Sequence, residues 1–248
     1  MNVSESVAEV TLPAIFSDGM VLQRELPVPV WGTANPNERV VVSFADQTVE
    51  ANADAQGNWM VKLAPLSTSS EGRTLTVTGT NTVEFSNVLV GEVWLCSGQS
   101  NMADSFNPQK KRFIPESYFK HDLSRLRIST QRGWDDVNEK SQRSTSRVAF
   151  YFGFELYQEL NIPIGLILRY NSGTPIQSWM PFAASEEIRQ KLEIPEGWND
   201  VQDNRNPAVQ FDSKIAPIVP YAFRGTIWYQ GERNAKAYTG WELSLIHI

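Results

Sequence analysis

Gly91-Glu92-Val93-Trp94-Leu95-Cys96-Ser97-Gly98-Gln99-Ser100-Asn101-Met102 is an apolar run that ends in a small-residue turn carrying a serine. Val93, Trp94, Leu95 and Cys96 are continuously apolar, the pattern of a strand buried on both faces of a parallel sheet. Open α/β sheets bind ligands in the crevice beyond the carboxyl ends of such strands. Ser100 therefore falls where a nucleophile works, and Gly98 lets the backbone turn without a Cβ clash. Ser-Gly-x-Ser turns also occur in loops without chemistry, so the segment alone leaves both readings open.

Two further segments have the same form. Ile164-Gly165-Leu166-Ile167-Leu168 is an apolar strand that runs through Arg169-Tyr170 into the turn Asn171-Ser172-Gly173-Thr174-Pro175. Phe223-Arg224-Gly225-Thr226-Ile227-Trp228-Tyr229 is a strand ending in Gln230-Gly231-Glu232. Three strand ends thus carry a candidate nucleophile, a flexible backbone turn and a side-chain amide, the parts of an acyl-transfer site. The N–H groups of Ser100 and Gly173, with the Gln230 amide as a third donor, suit a developing oxyanion. Each such donor is worth about 3 kcal/mol of transition-state stabilisation in a water-poor site.

Outward from these segments the chain divides near Val90. Residues 1–90 hold short β-rich runs, Val28-Pro29-Val30-Trp31, Arg39 to Phe44, Trp59 to Leu63 and Thr74 to Thr78, separated by turns such as Asn35-Pro36-Asn37 and Asp54-Ala55-Gln56-Gly57. This spacing predicts a β-sandwich with one wet face. It reads either as a packing and spacing domain or as a carbohydrate-binding module. Residues 91–248 alternate strands with helical text. The best helix is Ser146 to Leu160, with Val148, Phe152, Leu156 and Leu160 on one stripe at four-residue spacing. It leads through Asn161-Ile162-Pro163 into the next strand, a βα crossover that predicts a flavodoxin-like three-layer α/β/α domain. The acidic stretch from Phe182 to Asn206 reads as a surface excursion over the site, and Trp179 and Trp198 read as packing residues as readily as sugar platforms.

Composition bounds the function without choosing it. The 248 residues, 41% hydrophobic and 20% charged, suffice for two modest cores. A net charge of -6 argues against a nucleic-acid partner, which needs a basic face. No segment is long enough to span a membrane, and Met1 to Val10 lacks the basic and apolar regions of a secretory signal. Cys96, the only cysteine, forms no internal disulfide and reads as an inert core thiol. Two distant histidines and one apolar cysteine make a poor ligand set, so no metal is expected, and the chemistry needs no cofactor.

The motifs Phe16-Ser17-Asp18-Gly19-Met20-Val21-Leu22-Gln23-Arg24, Trp94 to Met102, Gly173-Thr174-Pro175-Ile176 and Ile227-Trp228-Tyr229-Gln230-Gly231-Glu232, in this order, resemble the sialate O-acetylesterase family of the SGNH hydrolase superfamily. The resemblance runs from about Leu12 to Tyr238. It implies that Ser100 attacks the carbonyl of an O-acetyl ester on a sugar and forms an acetyl-enzyme. Gly173 would supply an oxyanion N–H, Gln230 would stand where other branches use asparagine, and Glu232 would orient a histidine. The implied partner is an acetylated carbohydrate, either a sialic acid or acetylated xylan or xyloglucan, and the implied location is periplasmic or secreted.

Three departures accompany the resemblance. Relatives read Trp-Gly-Gly-Thr where this chain has Asn171-Ser172-Gly173-Thr174, and they carry a serine in place of Arg233. They also draw the general base from an Asp-x-x-His-Pro segment near the domain end, which is absent here. His121 reads as a solvated loop residue and His247 is penultimate. The expectation is a C-terminally truncated hydrolase domain whose open sheet edge is an aggregation risk or a homodimer surface. If the missing histidine is native, a non-catalytic glycan-binding protein is the alternative.

Overall fold

Period-two burial builds the amino-terminal strands. In the computed structural model, which describes residues 9–107, 113–138, 140–191 and 205–236, the strands β1 (Val21–Gln23), β2 (Val28–Thr33), β3 (Arg39–Phe44), β4 (Gln47–Asn52), β5 (Asn58–Leu63) and β6 (Ser69–Thr78) come first. In β3 and β5 every second residue is buried, so Val40, Val42 and Phe44 face Trp59, Val61 and Leu63 across a shared apolar core. β2 and β5 pair antiparallel as a separate two-stranded sheet, while β4, β3 and β6 lie side by side in a larger one.

β7 (Thr82–Gly98) joins this region to the rest of the chain. Its first half lies between antiparallel β6 and parallel β1. Its second half lies between β10 (Ile164–Tyr170) and β11 (Gly225–Tyr229), both parallel to it. β8 (Leu126–Thr130) and β9 (Gly133–Asp136) extend the sheet beyond β10, completing a nine-stranded mixed sheet. The expected two-faced burial of Val93 to Cys96 is therefore observed: Val93 and Leu95 belong to the first core, and Cys96 belongs to a second core on the other face. The expected boundary at residues 90/91 falls inside β7.

Four helices accompany the strands: α1 (Ser100–Ala103), α2 (Arg147–Leu160), α3 (Phe182–Lys191) and α4 (Glu232–Lys236). The Ser146 side chain caps α2 by accepting from the Ala149 N–H at 3.2 Å, and Asn161 closes the helix in the left-handed conformation. The face that α2 buries differs from the expected stripe. Ala149, Phe150, Gly153, Phe154 and Tyr157 are buried, Val148, Phe152 and Leu156 flank them, and Leu160 is exposed. A strict four-residue repeat drifts around a helix of 3.6 residues per turn, so the core settles on mixed three- and four-residue spacing. Gly153 sits at the closest approach, where a Cβ would meet Leu166 Cδ1 at 2.7 Å.

Of the stretch expected as a surface excursion, residues 182–191 form α3, and Trp198 lies outside the described residues. So do residues 1–8 of the stretch read for a secretory signal, and His247. Among the described residues no helix is long and apolar enough to cross a membrane.

Candidate functional site

Strand register creates the site. Gly98 of β7 is level with Tyr170 of β10 on one side and with Tyr229 of β11 on the other. The three segments singled out in the sequence therefore leave the sheet together at its carboxyl edge. Backbone bonds clamp the exits: Asn171 N–H donates to Gly98 O at 3.1 Å and Gln99 N–H to Tyr229 O at 2.9 Å. Gly98 has φ +137°, and a Cβ there would lie 2.1 Å from Tyr229 O, so glycine is required by both conformation and space.

Ser100 begins α1 and is exposed to solvent, as a residue open to a ligand must be. α1 is held from below by buried Met102, whose sulfur lies 3.6 Å from Ser146 Oγ. The Gln99 amide nitrogen reaches Ser100 Oγ at 3.4 Å. Gly173 occupies the left-handed region at φ +73°, with open space where a Cβ would be. Among the described residues the N–H groups of Ser100 and Gly173 have no backbone acceptor. Asn101 donates through its amide to Glu232 Oε1, and Glu232 Oε2 is buried without a partner among the described residues.

Gln230 is brought to the same place, but its amide faces inward. Its Nε2 lies 2.6 Å from Asn234 Oδ1, 3.3 Å from Thr174 O and 3.4 Å from Gln99 Oε1, while its Oε1 is buried without a partner. Asn234 decides this orientation. The Ile176 N–H donates to Asn234 at 2.9 Å, and a backbone N–H only donates, so the Asn234 atom shared with Gln230 is the oxygen. One Gln230 hydrogen serves Asn234 and the other is shared between the two long contacts, so aiming it at an oxyanion means releasing both of them. The network continues from Asn234 Nδ2 to Gln177 Oε1 at 3.3 Å and from the Arg233 N–H to Gln99 Oε1 at 3.2 Å. Trp179 is buried edge-on against Trp228 at 5.7 Å and donates to Thr174 Oγ1 at 2.9 Å, which makes it a packing residue.

Gln99, Asn101 and Asn234 were not singled out in the sequence. Gln230 and Asn234 stand four residues apart, the spacing that joins neighbours on a helical turn, and this was the one available signal. The only described histidine, His121, is remote. Its Nδ1 is 3.1 Å from Gln158 Nε2 and its ring packs on Phe154. Ser146, which touches the α1 end of the site, lies twelve residues earlier on the same helix, about 18 Å at 1.5 Å per residue.

A parallel sheet whose adjacent strand ends gather an exposed serine, a left-handed glycine turn and a carboxylate defines an α/β protein with a ligand crevice at the carboxyl edge. Residues 90–242 match the family described as carbohydrate esterase, sialic acid-specific acetylesterase, and the chain belongs to that family. It is 28% identical over 255 residues to the human sialate O-acetylesterase, covering 88% of this chain and 48% of that protein. The mouse sialate O-acetylesterase is 27% identical over 274 residues, covering 87% and 50%. The crystal structure of a carbohydrate acetylesterase from Xanthomonas citri superposes with TM-score 0.77 at 30% identity, covering 92% of this chain and 52% of that one. The chain spans about half the length of the curated relatives it matches.

Proposed function

We propose that the chain acts as a carbohydrate O-acetylesterase, hydrolysing acetyl esters on sugars, a sialic acid bearing a 9-O-acetyl group or acetylated xylan among them. The observation that carries this reading is the register placing Gly98, Tyr170 and Tyr229 at one level. Ser100, the Gly173 turn and Glu232 then follow neighbouring strand ends on one edge of the sheet. The architecture we infer is an amino-terminal β-sandwich, residues 1–90, followed by a flavodoxin-like SGNH hydrolase domain, residues 91–248. The two-stranded β2–β5 sheet beside the β4-β3-β6 strands supports the first part, and the parallel strands β7, β10 and β11 with α2 packed on one face support the second.

Ser100 Oγ attacks the ester carbonyl, the Oγ proton passes to a base, and the sugar hydroxyl leaves as an acetyl-enzyme forms. Water then releases acetate and restores Ser100. The N–H groups of Ser100 and Gly173 stabilise the oxyanion, at about 3 kcal/mol each. Gln230 acts first as the buried clamp that holds the 171–174 turn to α4, and as a third donor only when it lets go of both Thr174 O and Gln99 Oε1. Glu232 Oε2 is the acceptor for a ring N–H of the base. His121, bonded to Gln158 more than three helical turns along α2 from Ser146, does not fill that role.

A fluorophosphonate probe tests the reading. Labelling that maps to Ser100 by peptide mass, with p-nitrophenyl acetate turnover lost in Ser100→Ala, supports it. Absence of labelling and equal background rates in both proteins refute an activated serine. The remote position of His121 favours one second reading, a glycan-binding protein without catalysis, which predicts an inert Ser100 together with retained binding to acetylated glycans.

A further inference from the structure

The sheet face opposite α2 carries a buried cation without a counter-charge. Arg169 follows Leu168 on β10, in register with Ser97, and lies on the same side of the strand as Ile167 of the first core. The residue is only 4% exposed. Its Nη1 donates to Ser129 O at 3.0 Å and to Leu168 O at 2.9 Å, neutral acceptors that leave the charge uncompensated. Among the described residues no carboxylate is within ion-pair distance of Arg169.

A second cation stands beside it. Lys214 and Arg169 line one half-open cavity of about 230 Å³, together with Gln131, Ser213 and the apolar side chains of Ile15 and Ile218. Buried charges in proteins are ordinarily paired, and two like charges on one cavity add repulsion to the cost of desolvation. The titration of both groups reflects that cost. Burial pushes Arg169 down to about 10. Burial, and then the Arg169 charge, lower Lys214. The volume is below the range of roughly 300–1,000 Å³ typical of drug-sized ligand pockets, so it suits a few heavy atoms and not a sugar chain.

We propose that the cavity between Arg169 and Lys214 is a binding site for a small anion, a carboxylate or an inorganic oxyanion. The planar guanidinium offers its remaining N–H groups to two oxygens of such a ligand, and the flexible Lys214 ammonium closes on it as a point charge. The strands and loops around the cavity come from residues 13–15, β10 and the 213–218 segment. An anion there adds a charged tie between these parts of the chain, beside the hydrogen bond from Gln131 Nε2 to Ser213 O at 3.3 Å. Arg169 directly precedes Tyr170 and the turn to Gly173, so the occupied cavity braces the strand end that shapes the crevice, while the site itself does not depend on the esterase reading.

Calorimetric titration of the whole chain with sodium phosphate, and separately with sodium acetate, at ionic strength held constant with sodium chloride, tests the proposal. The expected result is one saturable site for at least one of the two anions. Phosphate alone identifies an inorganic-oxyanion site, and acetate identifies a carboxylate site. Lys214→Gln, at a half-buried position of the helical segment Phe211–Ile215, should weaken binding about tenfold or more, the loss of one charged hydrogen bond. Arg169→Gln should abolish binding, and its folding is checked by circular dichroism. Absence of saturable heat with both anions, or binding by Lys214→Gln within about twofold of the parent chain, overturns it.

Discussion

Removing the Asn234 side chain tests the buried amide network behind Ser100. Asn234 is 1% exposed, accepts from Ile176 N–H at 2.9 Å and Gln230 Nε2 at 2.6 Å, and donates to Gln177 Oε1 at 3.3 Å. Asn234→Ala deletes all three bonds. Each buried group left without a partner costs about 1–3 kcal/mol. Ile176 is partly exposed and Gln230 keeps its two long contacts, so the sum falls to about 2–4 kcal/mol. For a chain of this length that lowers the melting temperature by roughly 4–16 °C. Asn234→Asp keeps the oxygen that accepts from Ile176 and Gln230 but buries a carboxylate with an acceptor oxygen against Gln177 Oε1, so at neutral pH it should be at least as unstable as Asn234→Ala and should recover towards the parent chain as the carboxyl protonates in acid. Urea unfolding of the three proteins gives the free energies, and the fluorophosphonate labelling rate of Ser100 reads the site. With the clamp gone, the 171–174 turn and α4 lose their shared anchor, and labelling should slow at least tenfold, about 1.4 kcal/mol. A loss of stability below about 0.5 kcal/mol with an unchanged labelling rate would refute the network as an organiser of the site.

Gly98→Ala places a Cβ against Tyr229 O at a backbone conformation alanine avoids, and should cost about 3 kcal/mol or more in urea unfolding while abolishing Ser100 labelling. Glu92 is buried among Arg24 Nε at 2.6 Å and Arg224 Nε at 2.9 Å. Burial alone would raise its pKa, but the bonds from Arg224 and Arg24 outweigh burial and hold it below the usual carboxylate range. Its contribution is therefore present above the unfolded value, about 4.3, and is lost as pH falls through the lower folded value. Glu92→Gln should cost about 2–3 kcal/mol at neutral pH, and the gap to the parent chain should narrow in acid-unfolding curves below about pH 4. Burial pushes the Cys96 thiol far above its ordinary range. Ellman's reagent should leave native protein untouched at about pH 8 and titrate one thiol in denaturant.

The elements were legible because their signals are local. Arg39 to Phe44 and Trp59 to Leu63 alternate with period two, and the strands fall there. Ser146 precedes a helical apolar pattern and caps α2. The three polar turns were also legible, each as the sequel to an apolar run. The buried face of α2 was less so, because Val148, Phe152 and Leu156 are as apolar as Phe150 and Phe154, and packing against Leu166 at Gly153 chose between them.

What the sequence by itself determined is the strands β2, β3, β5, β10 and β11, the later parts of β6 and β7, the capped helix, the family and the residues that stand at each strand end, all carried by periodicity and motifs within short windows; β1, β4, β8 and β9 were not read from it. Only the tertiary structure decided which side chains meet. Gln99 and Gln230 are 131 residues apart, and their contact follows from the register of β11 on β7. The inward turn of the Gln230 amide follows from the Ile176 N–H bonded to Asn234, and the pairing of Arg169 with Lys214 on one cavity from the packing of the 213–218 segment over β10. Periodicity records which face of an element is apolar. Register, hydrogen-bond direction and uncompensated charge arise only when distant elements pack, and they have no signature within a local window.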